Sequence, residues 1–314
     1  MESLILSFEA VAPIFILMLL GYLLKKIKLA EKDHFDAMNR LVFKVFLPVL
    51  LFNNVYNTEI SGVIDSKLIA YTITGVAAVF VLGYFAVMLL SKKNSIRGVM
   101  LQGFFRSNFA ILGLPLIDSI CKGNSGGLTS IMVAVVVPVF NVLAVVALER
   151  FREGNERLDV GKLIKGVLTN PLIIGCAIGL IFLVLKIRLP FVIEKSLKDI
   201  GSVATPLAII ILGAGFEFSA IKGMAFEIAT VVLARLVIVP VITLVPAVLL
   251  GFRGEALACL LIAFGSAVAV SSYSMAKQMD GDETLAAQVI VFSSVFCMFT
   301  LFMWIFILNY LNLF

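Results

Sequence analysis

Histidine is almost missing from this chain, which holds a single one, His34, in 314 residues. Histidine-based acid–base catalysis and histidine metal clusters therefore have no second partner to draw on. Cysteine is scarce as well. Cys121, Cys176, Cys259 and Cys297 are dispersed without metal-ligand spacing, and they read as small apolar packing residues, with no disulfide and no metal expected. Charged residues make up only 14% of the chain, and the longest hydrophilic connection, Glu149 to Asp159, is too short to bury a core of its own. A separate soluble domain is excluded.

What fills the chain instead is hydrocarbon. Hydrophobic residues account for 61% of it, with a mean hydropathy of +1.10, well outside the balance of a soluble domain. The apolar stretches fall near 8–27, 38–56, 67–91, 97–120, 129–148, 163–186, 196–216, 225–250, 256–279 and 285–312. Each is close to the roughly 20 residues that a helix needs to cross about 30 Å of lipid. The expected fold class is an all-α polytopic membrane protein of ten spans. The first stretch follows Met1-Glu2-Ser3 with no basic region before it, and reads as a retained span and not a cleaved leader.

Proline and glycine landmarks recur at a fixed offset of 158: Pro13, Gly21 and Pro48 match Pro171, Gly179 and Pro206. These are the residues least interchangeable in a helix, since one lacks a donor and the other a side chain. The chain accordingly divides into two copies of a five-span unit, 1–158 and 159–314. An odd number of spans per copy makes the repeat inverted, a pattern typical of transporters.

The loops after spans 1, 3, 5, 7 and 9 hold sixteen lysines and arginines and the opposite loops hold seven. By the positive-inside rule the crowded side is cytoplasmic, so both termini are expected outside the cytoplasmic membrane. Topology thus accounts for the net charge of +5, and no nucleic-acid partner is expected. The two remaining cations, Arg106 and Arg235, fall inside spans 4 and 8.

Span 4 has the most polar interior, with Arg106, Ser107 and Asn108 about 15 Å along it at 1.5 Å per residue. Gly113 and Pro115 weaken the ladder just beyond, and the sequence predicts a broken helix from Asn108 to Gly113. Span 9 carries Gly265-Ser266-Ala267 and Ser271-Ser272-Tyr273-Ser274 at matching depth, and Asn108 falls on Ser266 at the repeat offset. Two interrupted spans in corresponding places point to a binding site near the middle of the membrane, because each half-helix leaves donors unpaired at one end and acceptors at the other. The donor ends suit a carboxylate.

The run Asn108-Phe-Ala-Ile-Leu-Gly113-Leu-Pro115-Leu116, with Phe46-Leu47-Pro48, Pro138-Val-Phe-Asn141 and Ala269-Val-Ser-Ser-Tyr-Ser-Met-Ala276-Lys277-Gln278, resembles the auxin efflux carrier family of bacterial permeases over essentially the whole chain. The resemblance implies a fold related to sodium/bile acid symporters, in which spans 4 and 9 cross at the substrate. It also implies a scaffold of spans 1, 2, 6 and 7, a transport domain of spans 3–5 and 8–10, an elevator-type alternating-access cycle and a homodimer. Substrates implied by the resemblance are small carboxylates such as malate or malonate, or an aromatic acid of the auxin kind. Where plant members carry a proline at each crossing this chain has Ser107 and Ala267, and Ser271 replaces a frequent bacterial asparagine.

Asn108, Ser107, Arg106, Asn141, Ser271 and Ser272 are the candidate substrate-binding residues, and Gly113, Pro115, Gly265 and Ala267 the candidate helix-break residues. Asn108 offers two donors and an acceptor to a carboxylate, or ties span 4 to span 9. The fork of Arg106 suits a carboxylate, or snorkels toward the cytoplasmic side. Asn141 completes the site or bridges helices, the serines bind or back-bond their own helix, and Arg235 reads as structural pairing or interfacial placement. Few acidic groups lie deep, which speaks against a carboxylate proton relay and leaves the coupling ion, sodium or proton, open. The function classes are a carrier of small organic anions in the lipid bilayer, a membrane receptor for such an acid and, least, an intramembrane hydrolase, for which the serines lack an activating base.

Overall fold

The computed structural model describes residues 2–58, 65–121, 128–152 and 160–314; within these, the side chains of residues 2–11, 110–112, 114, 115, 119 and 160 lie outside the description. The described chain is helical throughout. In order the helices are α1 (Glu2–Lys26), α2 (Lys32–Leu41), α3 (Leu47–Tyr56), α4 (Ser66–Leu90), α5 (Asn94–Phe105), α6 (Phe109–Ile120), α7 (Leu128–Arg150) and α8 (Val160–Leu168). They continue as α9 (Pro171–Val184), α10 (Phe191–Gly215), α11 (Ala225–Leu233), α12 (Val239–Leu249), α13 (Gly254–Gly265), α14 (Ser271–Gln278) and α15 (Glu283–Tyr310). Each apolar stretch read from the sequence coincides with one helix or an interrupted pair.

Among the described residues five helices are long and apolar enough to cross a membrane, and the pair 161–168 and 171–184, bent by 61°, adds a sixth when counted as one span. The outside of the bundle carries large apolar side chains such as Leu89, Leu249 and Phe191, exposed by 89%, 81% and 76%. Such a belt is stable when hydrocarbon is the solvent and aggregates in water. The protein is a multi-pass helical membrane protein.

Local chemistry starts and bends the helices. Asp65, Asn170 and Asp282 each precede a helix and accept the amides of Leu68, Leu172 and Leu285 at 2.9, 3.0 and 2.8 Å, which pairs one orphan donor at each start. Two π-helical segments, Val42–Phe46 and Ala234–Ile238, each end two residues before a proline, Pro48 and Pro240. Proline neither donates to the carbonyl four residues back nor tolerates its close approach, so the ladder widens there. In the second segment that carbonyl, Leu236, accepts from the indole Nε1 of Trp304 at 3.1 Å, the one tryptophan in the chain.

The landmark glycines are points of close helix approach. A Cβ at Gly21 in α1 would lie 1.8 Å from the Ile210 carbonyl oxygen of α10, and one at Gly179 in α9 would lie 2.9 Å from the Phe52 carbonyl oxygen of α3. Backbones packed so closely gain dispersion contacts that lipid alone does not supply.

Candidate functional site

The helix that enters from Asn94 stops at Phe105 and restarts at Phe109; the one that enters from Gly254 stops at Gly265 and restarts at Ser271. The two gaps meet. Ser107 and Val268 form an isolated antiparallel bridge, and the Asn108 amide donates to the Ala267 carbonyl at 2.9 Å. Ala267 and Val268 donate their amides to Cys297 Sγ at 3.1 Å and Ser293 Oγ at 3.2 Å. Ser107 Oγ reaches the Ile262 carbonyl at 3.1 Å and Ser266 Oγ at 3.0 Å. A buried unpaired backbone group costs as much as a lost hydrogen bond, so each gap is stabilised by the other.

This corrects one expectation. The break does not run from Asn108 to Gly113; it lies at Arg106-Ser107-Asn108, and α6 stays helical through Gly113 and Pro115, whose side chain lies outside the description. The physical reason is that the partners for a broken ladder stand at Arg106 to Asn108, where span 9 offers its own gap, and not farther along. In span 9, Gly265 is the last residue of α13 and Ala267 sits in the gap.

Arg106 is 3% exposed and turned inward, toward the crossing. Its Nη2 donates to Asn141 Oδ1 at 2.7 Å and Ser271 Oγ at 2.8 Å, and its Nη1 approaches Met275 Sδ at 2.7 Å and Ser272 Oγ at 3.3 Å. Every one of these acceptors is neutral. Among the described residues no ion pair includes Arg106. Asn141 is fixed in turn by donating its Nδ2 to the Val137 carbonyl at 2.8 Å. Asn108, buried at 4% exposure, holds its Nδ2 without a hydrogen-bond partner among the described residues. Such a donor costs about 1–3 kcal/mol while it stays unpaired.

These groups line one cavity of about 60 Å³. Arg106, Ser107, Asn108, Asn141 and Ser271 form one wall, while Leu50, Leu51 and Asn54 from α3 and Thr205 and Ala208 from α10 form the other. Ser272 stands behind Arg106 and does not line it. A wider space of about 470 Å³ adjoins at Leu50 and Asn54, and Asn53, Asn57, Thr58, Glu194 and Lys198 surround it. Thr205 was not singled out from the sequence, and Asn54, with Asn53 and Asn57 at the outer end of span 2, reads there as solvated; the packing of α3 against α7 and α10 brings it to the cavity.

A second arginine at the crossing, Arg235, has 0% exposure and does not line that cavity. Its Nε donates to the Ser266 carbonyl at 2.9 Å, Nη2 to Ala263 at 2.8 Å, and Nη1 to Phe105 and Phe104 at 3.1 and 3.4 Å. The structure thus gives Arg235 backbone partners at the ends of two half-helices. Lys277 of α14 joins Asp36 of α2 and Glu283 of α15, each at 2.6 Å.

The sequence pattern of the membrane transport protein family matches residues 6–305. The chain is similar to an uncharacterized transporter of Methanothermobacter thermautotrophicus, with 24% identity over 304 residues, covering 95% of this chain and 97% of that protein. It is also similar to a protein of Rhizobium meliloti that bears the name "Putative malonate transporter", with 22% identity over 238 residues, covering 74% of this chain and 73% of that protein. With a match along nearly its whole length, the chain belongs to the auxin efflux carrier family of membrane transport proteins.

Proposed function

We propose that the protein carries small organic anions, and dicarboxylates of malonate size before monocarboxylates, across the cytoplasmic membrane by alternating access. The observation that carries this reading is the Arg106 guanidinium, buried among neutral acceptors only, beside the unpaired Asn108 amide on one cavity wall. The charge follows from simple electrostatics. Each half-helix start adjoining the cavity contributes about +0.5 of a charge and Arg106 one more, so the site holds about +2 with no acid among the described residues that line it. A dianion neutralises that sum. The name of the Rhizobium relative points to the same chemistry.

The architecture supports a carrier of ten spans in two inverted repeats. Under such a repeat, span 1 corresponds to span 6 and span 2 to span 7, and close packing of span 1 on span 7 should be mirrored by span 6 on span 2. Gly21 against Ile210 and Gly179 against Phe52 are such a pair of contacts. The cavity lies between α3 and α10 on the scaffold side and α5 to α7 and α14 on the transport side. It adjoins the wider space at the Asn57 end of span 2, while Lys277 bridges to Asp36 some 21 residues away, about 32 Å along a helix. With both termini outside, this is the outward-facing arrangement, closed toward the cytoplasm. A homodimer through the scaffold completes the reading.

Uptake of radiolabelled malonate and acetate into liposomes holding the purified protein tests the proposal. Malonate uptake exceeding acetate uptake, and lost in Arg106→Gln, is expected; binding of malonate without uptake would indicate a receptor. Cysteines placed at Ser3 and Asn312 should react with an impermeant label in intact cells, and labelling only after permeabilisation would reverse the topology.

A further inference from the structure

We infer that the crossing contains a second ionic site, built of backbone carbonyls and permanently filled by Arg235, so that the protein carries its own cation where a mobile one would otherwise bind. Neither Arg235 nor the carbonyl residues that hold it line the anion cavity. Phe104 and Phe105 end α5, and Ala263 and Ser266 lie at the end of α13, so the four carbonyls belong to the acceptor ends of both half-helices. The last carbonyls of a helix have no partner within it, and the end carries about −0.5 of a charge. Two such ends facing one point amount to about −1, which one guanidinium cancels. In transporters with discontinuous helices, ends of this kind hold sodium ions.

Three observations make Arg235 a ligand of that site and not a filler of space. It is fully buried, all its hydrogen bonds go to carbonyls of the two half-helix ends, and no ion pair includes it among the described residues. Its placement is built in. It lies in the π-helical segment before Pro240, in which the helix turn is widened, and the Leu236 carbonyl beside it is held by Trp304. Because one group binds both ends, α5 and α13 are tied as a single body. For transport, which rests on the carrier reading above, the consequence is that no sodium ion is needed at the crossing.

The test uses the full-length protein in detergent and reads thermal unfolding, which does not depend on uptake. Arg235→Ala should unfold at a clearly lower temperature than wild type. Methylguanidinium chloride at about 10 mM should restore much of that loss in a saturable way, since a ligand of the folded state alone raises its apparent stability. The wild type, its site filled, should not respond. An Arg235→Ala protein as stable as wild type, or no more responsive to methylguanidinium than wild type, would overturn the inference. Should Arg235→Ala not fold, Arg235→Lys and Arg235→Gln decide. The lysine keeps the charge and should yield folded protein where the glutamine fails; equal losses would show that shape and not charge matters. Malonate uptake by wild type should be equal in sodium and choline media. Uptake that requires sodium would overturn the consequence for transport, whereas absent uptake would count against the carrier reading and leave the unfolding data to decide the cation site.

Discussion

Arg106 and Arg235 both stand at one helix crossing, both buried and neither in an ion pair among the described residues, yet they are satisfied in different ways. Arg235 is held by four backbone carbonyls. Arg106 is held by side-chain oxygens of Asn141, Ser271 and Ser272 and a sulfur, and it borders a cavity. Helix acceptor ends cancel the first charge, whereas donor ends adjoin the second and add to it. The same residue type is therefore stabilising in one place and, in the proposed function, poised for an anion in the other. A buried cation without a counter-charge is costly, and in the proposed function that cost is what a carboxylate would relieve on binding.

The comparison breaks if the two arginines respond alike to substitution. The largest effect is expected at Arg235, where glutamine leaves carbonyls at two helix ends unpaired and should cost about 4–5 kcal/mol of stability, read as a fall in the unfolding midpoint. Next comes Arg106→Gln, which should lower malonate affinity by about 2–4 kcal/mol, a loss of thirtyfold to nearly a thousandfold. Its unfolding midpoint in the absence of ligand should hold or rise. Reversed outcomes, with Arg106 needed for stability and Arg235 for affinity alone, would exchange the two roles.

Smaller changes sharpen the contrast. Asn108→Ala should weaken malonate binding by about 1–3 kcal/mol without destabilising the protein, because the amide nitrogen removed has no partner to lose. A drop in stability with unchanged binding would make Asn108 a bridge between spans. Ser271→Ala should cost about 1 kcal/mol of binding and Ser272→Ala less, since Ser271 lines the cavity and holds Arg106 at 2.8 Å while Ser272 stands behind it at 3.3 Å. Titration calorimetry resolves that order, and an equal loss at both would mean that the serines act only by orienting Arg106.

How much of this was legible in the sequence varies by residue. The membrane class, the apolar stretches and the polar centre at Arg106-Ser107-Asn108 are composition and spacing, and they can be read along the chain. So can the landmark glycines, although what they touch cannot. The position of the break in span 4 was misplaced, because Gly113 and Pro115 are the local helix-weakening residues. Local propensity is a weak prior, and a helix tolerates proline when neighbouring groups re-satisfy its backbone.

By itself the sequence determined the solvent this protein folds in, since only hydrocarbon tolerates so apolar an exterior, and it determined that polar groups are concentrated in two spans. Tertiary structure alone decided what those groups do. Arg106 and Arg235 are identical as letters, and sequence distance hides that Ser107 meets Val268, or that Arg235 meets both Phe105 and Ala263. A helix closes its hydrogen bonds four residues away and so is written locally, whereas a broken helix must find partners from elsewhere in the chain, and these exist only once the two gaps have come together.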